Sequence, residues 1–327
     1  RLSYYFEYDL PDGRRTFLGK GTRNRLPGLE LFDYSWTNED VFNVPSWVPD
    51  SIFYQIFPER FFNGDPGNDP PGTLPWGSAR PTRTNFFGGD LQGIMEKIPY
   101  LVELGVTAIW LNPIFASVSN HKYDTYNYYL IDPHFGNLAL FKELVARLHA
   151  HGIRVILDAV FNHTGDEFWA FQDVVERGPE SPYWDWYYIY DYPIRREPIP
   201  NYACWWNFPD LPKLKVTNPA VRQYLLEVAA FWTRTGIDGW RLDVPNELEP
   251  SFWVEFRRVV KNINPEAYIV GEIWENARPW LRGDMFDGVM NYVLRDLVIK
   301  FFARRELSVS AFDYRLGLLR LRYREQA

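Results

Sequence analysis

From Ser51 onward one order of elements repeats along the chain: a short, almost wholly apolar run, a loop, then a stretch of helical periodicity. The runs SIFYQIF (51–57), VTAIWLNP (106–113), IRVILDAV (153–160), IDGWRLD (237–243), AYIVGE (267–272) and FDGVMN (286–291) lack the polar alternation of a half-exposed strand. Both faces of such strands must be covered, which predicts a parallel sheet with helices outside it. Helices are predicted from Asp90 to Gly105, over 141–152, 218–236 and 251–262, and near 292–305. Asp90 stands as N-cap of the first, and Gly105 stops it. Polar residues collect at the C-terminal ends of several strands at once, and no Gly-rich phosphate loop follows any of them. A barrel gathers its site at that rim, whereas a nucleotide-binding doubly wound sheet needs the loop. The predicted fold is therefore α/β, a (β/α)8 barrel of the TIM type, with about six βα units present.

Two segments fall outside this rhythm. Residues 1 to about 20 alternate aromatic and polar side chains, break at Leu10-Pro11-Asp12-Gly13 and resume at Thr16-Phe17-Leu18, a hairpin pattern. A lone hairpin is marginal in water, so it is expected to close a β-domain whose earlier strands precede this sequence. Residues 30–49, with Pro45 and Pro49, read as a linker, and a polar, aromatic, Pro-rich stretch runs from about His163 to Pro212.

Charge and composition exclude several partners. A net charge of -7 argues against nucleic acid or an anionic membrane surface. No run of about 18 apolar residues is present to form a spanning helix. The single cysteine, Cys204, rules out an internal disulfide framework and fits a reducing compartment, so a cytoplasmic location is expected. Cys204 itself reads as a packing residue. Aromatic residues reach 18%, with 14 Trp and 21 Tyr, and two readings stay open. One is a bulky core; the other is a long cleft of flat apolar faces with polar edges, which suits sugar rings.

Side chains two apart on a strand share a face. In IDGWRLD this groups Gly239, Arg241 and Asp243 against Asp238, Trp240 and Leu242; in AYIVGE it groups Tyr268, Val270 and Glu272. Asp158 and His163 close the third strand in DAVFNH at the same rim. With Arg241 beneath it, Asp243 is expected to have a lowered pKa, as a nucleophile needs. Burial and the like charge of Asp243 are expected to raise that of Glu272, as an acid/base catalyst needs. Carboxylates on adjacent strands can approach to roughly 5 Å, the spacing for retention through a covalent glycosyl-enzyme. The competing reading is a structural ion pair between Arg241 and Asp243.

DAVFNH (158–163), GWRLDVPNE (239–247) and VGEIWE (270–275) resemble three short signature regions of the α-amylase superfamily of glycoside hydrolases. LPKLK (211–215), SNHKYDTYNY (119–128) and NGDPGNDPPGTLPWGS (63–78) are similar to stretches of its cyclomaltodextrinase, neopullulanase and maltogenic amylase group. The resemblance implies Asp243 as nucleophile, Glu272 as acid/base and Arg241 as positioning partner. It implies that Asp158 bonds Arg241, that Tyr123 stacks on the sugar, and that His121 and His163 contact its hydroxyls. Glu247 and Trp274, within the same motifs, join the substrate-binding set. The implied activity is cleavage of α-1,4 links in cyclomaltodextrins, pullulan or starch oligosaccharides, with some transglycosylation. A dedicated glucanotransferase or α-glucosidase is the alternative; a non-catalytic glucan-binding relative is another.

The group also implies a calcium ion held by Asn63, Asp65, Asn68 and Asp69, with Asp90 and the Gly88 carbonyl closing the shell. Hard oxygens in a tight turn suit that ion, although an Asx-turn loop without metal has the same composition. Residues 1–44 become the end of an N-terminal β-sandwich carbohydrate-binding domain with its linker, and 45–327 an incomplete catalytic barrel. Residues 163–212 become a subdomain inserted after strand 3, and the full-length parent a possible homodimer. Departures are equally specific. The superfamily's His-Asp pair after the seventh strand is absent, since His163 is the last histidine; Pro245 and Lys215 replace the usual Ala and Asn. The expectation is a chain that is part of a longer protein, or is completed by a second polypeptide, and is inactive when isolated.

Overall fold

The computed structural model describes residues 2–20, 22–23, 26, 28–34 and 43–323. The chain divides into two compact units, Arg1–Asn43 and Val44–Ala327.

The first unit carries β1 (Leu2–Tyr4), β2 (Phe6–Asp9), β3 (Arg15–Leu18), β4 (Thr22–Arg23) and β5 (Phe32–Tyr34). The predicted hairpin is β2 against β3, in register from Phe6 opposite Leu18 to Asp9 opposite Arg15. Gly13 takes φ 81° in its turn, where a side chain would be strained, and the Leu10 N–H closes the loop on the Arg14 carbonyl at 2.7 Å. Part of the predicted linker is instead strand: β5 pairs antiparallel with β1, bringing Phe32 opposite Tyr4 with ring centroids 5.4 Å apart. Such a cross-strand aromatic pair adds roughly 0.2–1 kcal/mol to the pairing. Residues 35–42 of that linker lie outside the described residues.

The second unit contains β6 (Phe53–Ile56), β7 (Ala108–Leu111), β8 (Phe115–Ser117), β9 (Thr125–Ile131), β10 (Arg154–Ala159), β11 (Gly239–Leu242), β12 (Tyr268–Gly271) and β13 (Gly288–Val289). Its helices are α1 (Leu91–Glu96), α2 (Ile98–Glu103), α3 (Leu138–Ala150), α4 (Trp169–Arg177), α5 (Pro219–Thr233), α6 (Pro250–Ile263), α7 (Tyr292–Val298) and α8 (Val309–Arg322). Six strands pair in parallel in the order β6-β7-β10-β11-β12-β13, so each lies beside the next barrel strand in the chain. The sheet curls. Phe53 on β6 and Tyr268 on β12 meet at 5.8 Å between ring centroids, although four strand spacings of about 4.8 Å separate their strands. The architecture is a half-barrel of the TIM type.

The structure departs from the sequence-based expectation in three places. The helix predicted from Asp90 is broken at Lys97 into α1 and α2, because Pro99 has no N–H to continue the ladder. The last barrel strand shrinks to Gly288–Val289. After β7 comes an antiparallel pair, β8 with β9, that the apolar rhythm did not reveal.

The core resolves part of the aromatic excess. Trp232, Trp240 and Trp253 are fully buried between sheet and helices, and each indole N–H finds an acceptor: Tyr128 O, Thr233 Oγ1 and Pro245 O. At the N-terminal ends of the strands a second regularity appears. Thr107, Asp238 and Asp287, just before β7, β11 and β13, accept the backbone N–H of Ile52, which precedes β6, of Val155 on β10 and of Ile269 on β12. Asp238 is also paired with Arg154 and His149, and Asp287 with Arg257 and Lys261. Among the described residues, no helix is long and apolar enough to cross a membrane.

Candidate active site

The alternation along β11 decides which side chains reach the barrel interior. Trp240 turns outward to Phe161 and Phe256, while Arg241 turns inward and lies over the Trp110 ring at 4.9 Å. Its Nη1 donates to Asp158 Oδ1 at 2.9 Å and to Asp243 Oδ1 at 2.7 Å; its Nη2 lies 2.7 Å from Glu272 Oε2. One guanidinium therefore grips carboxylates from three adjacent strands. The gripped oxygens of Asp243 and Glu272 can be no more than about 8 Å apart, the width of the fork and its two bonds. Asp158 Oδ2 is fixed in turn by Trp110 Nε1 at 3.2 Å and the Tyr123 hydroxyl at 3.1 Å. Asn112 donates to that hydroxyl and accepts from Gln55 on β6.

Glu272 is surrounded by donors. Besides Arg241 it faces Trp274 Nε1 at 3.2 Å, the Tyr292 hydroxyl at 3.0 Å and, more loosely, the Val244 N–H at 3.4 Å. Val244 sits in the left-handed region at φ 35° and ψ 52°. For a β-branched residue this is strain of about 1–3 kcal/mol, and it turns the chain immediately after Asp243.

Burial sets the electrostatics. The carboxyl of Asp243 is pushed up to about 7 by desolvation, which Arg241 only partly offsets and Asp158 and Glu272 reinforce. This corrects the lowering anticipated from Arg241 alone: three carboxylates share one guanidinium in a nearly dry site. Asp158 is raised for the same first reason. Burial depresses the His163 imidazole to about 4 and lowers that of His121, so both are neutral at pH 7.

Above the carboxylates opens a cleft of about 670 Å³. His121, Tyr123, His163 and Trp274 line it, as anticipated, together with Trp205, Trp206 and Phe208 from the long stretch after β10. His163 Nε2 is buried without a hydrogen-bond partner, so it is available to a ligand hydroxyl. Trp206 stacks on Trp205 at 5.1 Å and meets Trp274 edge-on at 5.8 Å. Glu247 is not brought to the carboxylate cluster. It lines an adjoining cavity of about 180 Å³ with Asn246 and Trp280, and its Oε2 receives Lys213 Nζ at 2.7 Å.

The predicted calcium loop is a separate place. Asp90 Oδ1 accepts the N–H groups of Gly64 and Gly93, and Oδ2 that of Asp65 and the Asn68 amide, so this carboxylate pins the loop. Asn63 Nδ2 donates to Asp69 Oδ1 at 2.7 Å, while the amide oxygens of Asn63 and Asn68 are buried and unpartnered. Gly88, at φ 75°, borders this pocket; a Cβ there would run into Asp69 Oδ1 and Asn63 Nδ2. Among the described residues no three His, Cys, Asp or Glu side chains cluster as a metal site. Hard amide and carboxylate oxygens, two of them unsatisfied, fit a calcium ion.

Several contributors left little trace in the sequence. Trp110 on β7 and Asn112 just beyond it are two apart, so strand parity could have found them. Tyr292, at the start of α7, and Trp205, Trp206 and Phe208, in irregular chain, left no periodic signal.

A curled parallel sheet with acidic residues at the C-terminal ends of adjacent strands, opening into an aromatic cleft, defines the class of barrel glycoside hydrolases. The chain belongs to the α-amylase family: residues 55–321 match the alpha amylase catalytic domain. It is 50% identical to neopullulanase 2 of Thermoactinomyces vulgaris, over 100% of this chain and 57% of that protein. It is 55% identical to a cyclomaltodextrinase of Geobacillus thermopakistaniensis (strain MAS1), over 97% of this chain and 55% of that one. Among solved structures, the ligand-free cyclic α-maltosyl-(1→6)-maltose hydrolase of Arthrobacter globiformis superposes with a TM-score of 0.85 at 46% identity. The match covers 87% of this chain and 64% of that one. The chain thus spans little more than half the length of the curated relatives it matches.

Proposed function

We propose that the cleft cleaves α-1,4-glucosidic bonds of cyclomaltodextrins, pullulan or short starch oligosaccharides with retention of configuration. The observation that carries this reading is the grip of one guanidinium on both Asp243 and Glu272. Ionised Asp243 attacks the anomeric carbon while Glu272 protonates the departing glycosidic oxygen, leaving a covalent glycosyl-enzyme. Glu272 then takes a proton from water, or from a sugar hydroxyl in transglycosylation, as it attacks that carbon and releases Asp243. Tyr123 and the neutral His121 and His163 face the sugar, and the tryptophans offer flat apolar surface to its rings. The names of the relatives, which include cyclodextrin- and pullulan-cleaving enzymes, support the substrate class. Incubation with 5-fluoro-α-glucosyl fluoride followed by peptide mapping should find the label on Asp243. Turnover with the label on another residue rejects this assignment.

We assign to Asn63, Asn68 and Asp69, with the Gly88 carbonyl, a structural calcium ion; Asp90 and Asp65 shape the loop that holds it. Its role is to neutralise converging oxygens at the start of the barrel. Chelation should lower the melting temperature and added Ca2+ should restore it; an unchanged melting curve removes the ion. A cytoplasmic location follows the similarity to an intracellular maltogenic amylase of Bacillus subtilis (strain 168), and sedimentation would test the anticipated homodimer.

A further inference from the structure

Lys122 carries a charge that the chemistry described above does not use. Its side chain and that of Asp132 are each only 1% exposed, and Nζ lies 2.7 Å from Asp132 Oδ2. The ammonium also donates to the Ser117 carbonyl at 3.2 Å and lies 5.2 Å from the centre of the Phe135 ring. Lys122 takes φ 63°, a conformation that costs any residue with a Cβ and that glycine adopts freely. Desolvating an ammonium is a second cost. A lysine at this point is thus expensive twice over, and a solvated loop would not need it.

Its neighbours explain the placement. His121 and Tyr123, on either side, line the cleft. Lys122 and Asp124 are buried behind them, Asp124 being held by Ser117 Oγ at 2.6 Å and the Ser119 N–H at 3.1 Å. Asp132 Oδ2 in addition accepts the Ser117 N–H at 3.0 Å, so one carboxylate ties Lys122 to β8. Tyr123 then reaches Asp158 and Asn112, and through Asp158 the guanidinium that holds Asp243 and Glu272.

We propose that Lys122 is a positioning residue of the cleft: buried against Asp132, it sets the backbone turn that presents His121 and Tyr123 to the substrate. This rests on reading the cleft as a glycoside-cleaving site. The test uses the enzyme that carries this chain. K122M should lower kcat/KM at least about 30-fold. K122M/D132L also removes the carboxylate that K122M deprives of its ammonium, though with it go the bonds from Ser117 and His134, so its melting temperature should recover part of the K122M loss while kcat/KM stays at least about 10-fold down. Y123F should cost a much smaller factor in the K122M/D132L background than in the parent, because the ring is already displaced. A doubly substituted enzyme with parental kcat/KM, or equal cost of Y123F in both backgrounds, makes Lys122 merely structural and overturns the proposal. If the parent cleaves no glucan, the functional reading fails instead. The same cycle is then read in maltotriose affinity by calorimetry: a reduced cost of Y123F in the double background supports the positioning role, and an equal cost overturns it.

Discussion

The two ends of the parallel sheet treat buried carboxylates in opposite ways. At the N-terminal ends, Asp238 and Asp287 each have two basic partners and a backbone N–H. At the C-terminal ends, Asp158, Asp243 and Glu272 share the single guanidinium of Arg241. The first arrangement neutralises charge and ties a strand to its neighbour and to the helices. The second desolvates three carboxylates around one cation, and that burial, reinforced by the charges of Asp158 and Glu272, lifts the Asp243 carboxyl to about 7. Each lower carboxylate has two basic side chains to itself, whereas the three at the upper rim share one. The lower carboxylates are also largely buried, so what differs between the two ends is the set of partners around each acid.

Substitution at the two ends should separate turnover from stability. D243N should reduce kcat by about 10⁴-fold or more with the fold intact, because the proposed mechanism then lacks its nucleophile. D287N should leave kcat within about an order of magnitude but destabilise the fold by roughly 3–5 kcal/mol, by breaking a buried ion pair. Kinetics and denaturant melts on both variants decide this; a stability loss in D243N as large as in D287N would erase the contrast.

A smaller effect lies in the pH dependence. Asp243 keeps its proton up to about pH 7 in the native state, whereas its ordinary value is 3.8. Across that window the folded chain binds more protons than the unfolded one, so this group's contribution to stability is full below about pH 4 and lost as pH rises through 7. D243N, with no proton to lose, should therefore melt higher than the parent above pH 7, by up to a few kcal/mol, and converge with it near pH 4. The acid limb of kcat/KM in the parent should fall near pH 7 for the same reason. Parallel stability curves would show that Asp243 is not raised.

The barrel was legible because its strands carry an unbroken apolar code and its helices a 3.6-residue one. The inward set on β11 followed from parity, and the meeting of Asp158, Arg241, Asp243 and Glu272 followed from having adjacent strands. Short antiparallel strands such as β8 carry too few residues for a period, and the aromatic wall around Trp205 and Trp206 lies in chain with no repeat. Lys122 was visible within its motif but not as a buried cation, because its partner Asp132 belongs to the far end of β9.

Covalent geometry, two residues at a time, dictates which side chains share a strand face and which strand ends carry acids, and so both can be read from the order of residues. The sign of the Asp243 shift cannot. A guanidinium beside a carboxylate lowers its pKa when the pair stands alone; with two more carboxylates on the same fork and water excluded, desolvation outweighs attraction. How many charges converge, and how dry the place is, are properties of the folded barrel.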